Sequence, residues 1–162
     1  MNVTIHEYVA KDSTKIVELL DELQRHIAAV DTLKRNRCLP GHGVAFFRLL
    51  IDKIEKNKGK IFIAKQNGKI AGFIAGILQQ QSKEDLFECI PTKVGRILEL
   101  FVRPECRTQG IGQGLMNKVE EYFKEQKCDV VRVEVFVPNK VAHSFYKNAG
   151  YLNRMMDLMK VL

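Results

Sequence analysis

The stretch Leu100–Met116, Leu-Phe-Val-Arg-Pro-Glu-Cys-Arg-Thr-Gln-Gly-Ile-Gly-Gln-Gly-Leu-Met, constrains this chain more than any other. An apolar run stops at Pro104, a short polar loop follows, and glycines then occupy positions 110, 112 and 114. Beyond them Leu115, Val119 and Phe123 recur at helical spacing, with Met116 and Tyr122 beside them, which predicts a helix over about Gly112–Lys127. Glycines at a strand-to-helix turn let the backbone come close to a neighbour, and the first turn of a helix leaves amide N–H groups unpaired. Those amides and the helix dipole attract anions, phosphate foremost. Arg107, three residues before the first glycine, can add a charge-assisted contact. The stretch reads as a phosphate cradle. The plainer alternative is a glycine-rich turn that only packs a helix on a sheet.

Two familiar cradles do not fit. A nucleotide-triphosphatase loop ends in Gly-Lys-Ser/Thr, whereas Gly114 is followed by Leu115. The dinucleotide fingerprint G-x-G-x-x-G would need its third glycine one residue later, and it opens a βαβ unit for which little chain remains. The pattern Arg107-x-x-Gly110-x-Gly112, entered from a strand carrying Val102 and Pro104, resembles the coenzyme A pyrophosphate loop of the GNAT superfamily of N-acetyltransferases.

Taken in order, Val3–Val9 reads as a strand. Asp12 or Ser13 can cap a helix whose stripe is Ile16, Leu19, Leu20, Leu23, Ile27 and Val30. A basic bend at 31–43 precedes a second helix carrying Phe46, Phe47, Leu50, Ile51 and Ile54 and ending near Asn57-Lys58-Gly59. Ile61–Lys65 and Ile70–Leu78 are predicted strands joined by a hairpin at Asn67-Gly68, with Gly72 and Gly76 marking a bulge or close packing. Gln79–Gly95 reads as a long loop and Ile97–Val102 as the strand feeding the cradle. Val131, Val133, Val135 and Val137 mark one face of a further strand ended by Pro138. Asn139 caps a short helix closed by Gly150, and Tyr151–Leu162 is expected as a last edge strand. The order β-α-α-β-β-β-α-β-α-β gives an α/β fold, a mixed and mostly antiparallel sheet flanked by helices. It is also the GNAT order. Residues 1–162 are expected to form a single acetyltransferase domain.

A chain of 162 residues can bury a sufficient core without staples, and 46% hydrophobic with 28% charged residues is ordinary for a globular protein. No signal peptide is visible, and the apolar run Ile70–Leu78 is too short to span a bilayer, so a cytoplasmic location and no membrane partner are expected. Cys38, Cys89, Cys106 and Cys128 show neither disulfide nor zinc spacing. Cys38 and His42 stand four apart beside a Pro-Gly turn, which reads as a plain loop, and no metal is expected. Cys106 lacks an evident base and reads as a neutral thiol. The net charge of +7 implies attraction to anions, but the sequence has no RNP-like aromatic strand to support a nucleic-acid partner.

A second signature lies in Val137–Tyr151: an asparagine at 139, an alanine three residues on, Phe145-Tyr146, then Gly150-Tyr151. It is similar to the other GNAT motif, and both occur in the family's order. The resemblance implies acetyl-CoA as cosubstrate. Its pyrophosphate would be held by the backbone from Thr108, Gln109, Gly110, Ile111, Gly112 and Gln113 to Gly114, with Arg107 alongside. Leu100, Phe101 and Val102 would pair with the pantetheine arm as an added strand would, the Val102 amide polarising the thioester carbonyl. Asn139 would bond to the pantetheine amides, and Tyr146 would stand near the sulfur as general acid.

The chemistry asks for a preorganised donor to the oxyanion, a proton for the leaving thiolate and an acceptor for the amine's proton. Glu99 is the candidate base, through a water or directly. Its alternative role is as partner to Arg96, Arg103 or Arg132, and many family members lack a dedicated base. His26 and His143 read as surface helix residues. His42 lies in the bend that, with the 79–95 segment, flanks the acceptor pocket in the family. The resemblance thus implies acetyl transfer to a primary amine of a small molecule. The alternatives are acetylation of a protein amine or aminoacyl-tRNA, or a silent acyl-CoA-binding module. A homodimer is compatible with the resemblance.

Overall fold

The computed structural model describes residues 2–162. Strand β1 (Val3–Glu7) leads through a 3-10 turn (Ala10–Asp12) into helix α1 (Ser13–Val30), then α2 (His42–Lys56). Strands β2 (Lys60–Gln66) and β3 (Lys69–Gln79), helix α3 (Lys83–Glu88) and strand β4 (Val94–Val102) follow. A second 3-10 turn (Pro104–Cys106), helix α4 (Ile111–Glu125), strand β5 (Val130–Val133) and helix α5 (Lys140–Asn148) complete the order.

The five strands form one sheet in the order β1-β2-β3-β4-β5. Neighbours are antiparallel except β4 and β5, which are parallel. The Asn67-Gly68 hairpin forms with both residues at positive φ, 49° and 79°, the type I′ geometry that matches strand twist. The sheet buries two faces. On one, Ile16, Leu19 and Leu20 of α1 and Leu50 of α2 meet Ile61, Ile63, Phe73 and Phe101. On the other, Leu115, Met116, Val119 and Phe123 of α4 meet Ala64, Ile74 and Ile97, with Tyr146 of α5 beside them. The apolar stripes read from the sequence are therefore the contact faces.

Four expectations need correction. Tyr151–Leu162 forms no strand, and Leu152, Met155 and Leu158 are more than four-fifths exposed. The strand expected to run to Val137 ends at Val133, because only four residues of β5 find partners on β4. The 79–95 loop contains α3, where the Ser82 hydroxyl accepts from the Asp85 N–H and the Asp85 carboxylate from the Ser82 N–H. Asp12 does not cap α1 with its side chain. It is buried instead between His6 at 3.2 Å and Lys65 at 3.5 Å.

Candidate active site

The register of β4 against β3 jumps from Ala75↔Glu99 to Gly76↔Ile97, so Leu98 is an extra residue, a β-bulge. Its consequence is a change of phase. Ile97, Leu100 and Val102 face α4, whereas Leu98 and Glu99 both turn toward α2, with Phe101 following on that face. The bulge is what removes the Glu99 carboxyl from the α4 core.

Pairing with β5 stops at Ile97↔Val133, while β4 stays paired with β3 to Gly72↔Val102. The Arg103 N–H donates to Ala71 O of β3 at 2.9 Å, so by alternation the Leu100 and Val102 amides point the other way. Residues 98–102 thus offer an unpaired strand edge within the sheet, able to receive an extended chain.

A cavity of about 200 Å³ lies on the α2 side of this edge, between Phe46, Leu50 and Lys53 of α2 and Leu98, Glu99 and Glu134. Burial pushes the Glu99 carboxyl up to about 7, with the Lys53 ammonium pulling against the rise. Glu99 joins no ion pair among the described residues. Arg96 bonds Glu134 at 2.7 Å, and Arg103 lies 3.2 Å from Glu22 and 3.7 Å from Glu18. The salt-bridge role considered for Glu99 is therefore not taken up.

Tyr146 enters the opposite face from α5. Its ring packs edge-on against Phe145 and Tyr151, with centroids 5.3 and 5.6 Å away. Burial raises its phenol well above the usual range, and the Glu99 carboxylate adds to the rise. The phenol thus keeps its proton across the neutral range.

In the cradle, Gly110 is the N-cap of α4 at φ 78°, a left-handed conformation that costs glycine no Cβ strain. Thr108 also has a positive φ, 59°. The first intrahelical bond runs from Gly114 N–H to Gly110 O at 2.9 Å, leaving the amides of Ile111, Gly112 and Gln113 at the open helix end. Arg107 Nε donates to Val102 O at 3.0 Å, and its guanidinium lies 5.8 Å from the Phe101 ring centroid. It ties the loop to the end of β4 with one nitrogen and leaves its two terminal nitrogens without a protein partner among the described residues. This arrangement fits a pyrophosphate group. Asn139 Oδ1 accepts the Ala142 N–H at 3.2 Å as the cap of α5. Cys106 is an unsuitable nucleophile, since burial and Glu105 push its thiol up.

Sequence reasoning missed the bulge at Leu98, which leaves no signature of its own, and the contribution of Phe46 and Lys53 from α2. It also missed that α1 brings Asp21 to Cys38 and His42.

No helix of the described residues is long and apolar enough to cross a membrane. Known proteins share this fold. The model of the acetyltransferase (GNAT) family matches residues 27–151. An uncharacterized N-acetyltransferase of Methanocaldococcus jannaschii is 36% identical over 98 residues, 60% of this chain and 41% of that protein. An aminoalkylphosphonate N-acetyltransferase of Salmonella typhimurium is 27% identical over 100 residues, 62% of this chain and 61% of that protein. The chain thus spans under two thirds of the length of these relatives. A predicted acetyltransferase of Clostridium acetobutylicum, solved with acetyl-CoA, superposes with TM-score 0.75 over 99% of this chain and 96% of that one, at 16% identity. With a family match over most of its length and the fold to go with it, this chain belongs to the GNAT family of acetyltransferases.

Proposed function

We propose that the protein transfers an acetyl group from acetyl-CoA to the primary amine of a small-molecule acceptor, by direct attack in a ternary complex. The observation that carries this reading is the unpaired edge of β4 beyond Ile97, with the Glu99 cavity on one face and Tyr146 and the α4 start on the other. Along that edge Leu100, Phe101 and Val102 hold the pantetheine arm, assisted by Asn139. Arg107 and the backbone of Thr108–Gly114 hold the pyrophosphate. The amine attacks the thioester carbonyl, whose developing oxyanion is met by the Val102 N–H. The C–N bond forms, the C–S bond breaks, Glu99 takes the amine's proton directly or through a water, and Tyr146 supplies the proton to the leaving thiolate.

Lys53 beside Glu99 gives the cavity both a carboxylate and an ammonium. That pair suits an amine which also carries an acid group, and the aminoalkylphosphonate acetyltransferase relative supports this class. The whole of residues 1–162 works as one domain in this reading, in the cytoplasm, with no metal in the chemistry and room for a homodimer.

The test is acetyl-CoA-dependent thiol release across polyamines, amino acids, aminoalkylphosphonates, aminoglycosides and N-terminal peptides, with Tyr146→Phe beside the wild type. Release with one small-amine class that falls about tenfold or more in the mutant is expected. Release unchanged by the mutation removes Tyr146 from the mechanism. Tight acetyl-CoA binding with no release from any small amine overturns the acceptor class in favour of a macromolecular amine or a silent binding module.

A further inference from the structure

The α1–α2 bend brings three donor types to one point, next to Phe46 of the cavity wall. Asp21 of α1, Cys38 of the bend and His42 at the start of α2 each present one ligand atom, all within 4.8 Å of one another. His42 Nδ1 lies 3.5 Å from Asp21 Oδ1, and Cys38 Sγ lies 3.9 Å from the same oxygen. A tetrahedral zinc ion with Zn–S of about 2.3 Å and Zn–N or Zn–O of about 2.0–2.2 Å separates its donors by roughly 3.3–3.7 Å. The two separations from Asp21 Oδ1 are within a few tenths of an ångström of this range, and the His42–Cys38 separation, within 4.8 Å, closes to it by side-chain rotation.

Two further observations concern what the cluster does without a cation. His42 Nδ1 is buried and has no hydrogen-bond partner, a state that costs about 1–3 kcal/mol. In the tautomer with its proton on Nε2, that nitrogen turns a lone pair toward a carboxylate oxygen, which a positive charge between them would relieve. Asp21 Oδ1 is already oriented by the Gly43 N–H at 2.7 Å, the kind of outer partner that fixes a metal-bound carboxylate.

We propose that Asp21, Cys38 and His42 form a zinc site with a fourth position open to water or a further ligand. Thiolate, imidazole and carboxylate together select zinc over the hard cations calcium and magnesium. Binding displaces the cysteine proton to solvent and forms the Zn–S bond with no change of oxidation state, so affinity rises with pH. The side chains of His42 and Asp21 are 23% and 29% exposed, which gives the ion a way in. The site would act on the acceptor side of the molecule. The His42 ring stacks on Phe46 with centroids 5.4 Å apart and planes 17° from parallel, and Phe46 lines the Glu99 cavity. A metal holding the imidazole therefore holds that wall and clips the irregular bend to α1.

The experiment uses the full chain, stripped with chelator and titrated with Co²⁺, then with Zn²⁺ in competition, alongside Cys38→Ser, His42→Gln and a Cys128→Ser control. In the wild type and the control, one equivalent of Co²⁺ gives a thiolate-to-cobalt charge-transfer band that Zn²⁺ abolishes. Zinc also raises their melting temperature. Cys38→Ser and His42→Gln lose the band, and zinc affinity falls by more than the roughly 10–100-fold that losing an outer-shell partner costs. Circular dichroism confirms that each variant is folded. A wild type that shows no such band, or holds no more zinc than folded Cys38→Ser, overturns the site.

Discussion

Glu99 and Tyr146 face the unpaired edge of β4 from opposite sides of the sheet, and the charge on Glu99 adds to the rise that burial imposes on the phenol of Tyr146. In the mechanism proposed above, this relationship would order two proton transfers: once Glu99 has taken the amine's proton its charge no longer adds to the rise, and Tyr146 becomes the better acid as the thiolate leaves. Glu99 can act as base only when ionised, so kcat/KM should climb as pH rises through about 7. Glu99→Gln should lower kcat by about a hundredfold and abolish that limb. A variant that keeps the same pH profile excludes Glu99 as base.

The same carboxyl makes a stability prediction. Its value of about 7 in the fold lies above the usual 4.5, so between those values the folded chain holds a proton that the unfolded chain has released. Stability therefore falls as pH rises through this window, by up to about 3 kcal/mol at the conversion of 1.36 kcal/mol per unit. Glu99→Gln should melt higher than the wild type at pH 8 and no higher at pH 4, by calorimetry.

Gly72 sets how closely β3 can approach the cradle strand. A Cβ there would overlap the Phe101 carbonyl oxygen and press on Val102, and neither backbone atom can swing aside. Gly72→Ala should cost about 1–3 kcal/mol in denaturant unfolding. It should also raise the KM for acetyl-CoA, because the displaced residues are those of the free edge.

Asp31 organises the bend through its carboxylate. It accepts N–H bonds from Leu33 at 2.9 Å and from Arg35 and Asn36 at 2.7 Å, and the Asn36 side chain at 3.0 Å. These bonds, the Asn36 backbone foremost, hold its pKa down to about 2. A lowered value contributes stability that is present above the usual 3.8 and is lost as pH falls toward 2. Asp31→Ala should melt below the wild type at pH 7, and the difference should shrink between pH 4 and pH 2.

Arg107 joins the loop to β4 and, among the described residues, leaves two nitrogens without a protein partner, which the proposed function gives to a phosphate oxygen. Arg107→Leu should weaken acetyl-CoA binding by about tenfold or more in calorimetric titration, the value of a charge-assisted bond of about 1.5–3 kcal/mol. Arg107→Lys should recover part of it, since a point charge replaces a planar fork.

Much of the fold was legible because it rests on local chemistry. The stripes of α1, α2 and α4, the Asn67-Gly68 turn, the Asn139 cap and the left-handed Gly150 each follow from a few neighbouring residues, and each forms as expected. Tyr151–Leu162 failed because weak alternation makes a strand only where a partner edge receives it. Strand β5 stopped at Val133 for the same reason, although Val135 and Val137 continue its pattern.

For the site, the sequence by itself determined where amides stay unpaired before α4, since glycine spacing and a helix start dictate it. It also named Glu99 and Tyr146, but not why Glu99 is available. Only the tertiary structure decided that, through the Leu98 bulge, which depends on register against β3, and through the pairing of Arg96 and Arg103 with other carboxylates. The meeting of Asp21 with Cys38 and His42 has the same origin. Helix α1 and the bend must pack before residues 17 and 21 positions apart can share a point, and linear spacing carries no record of that approach.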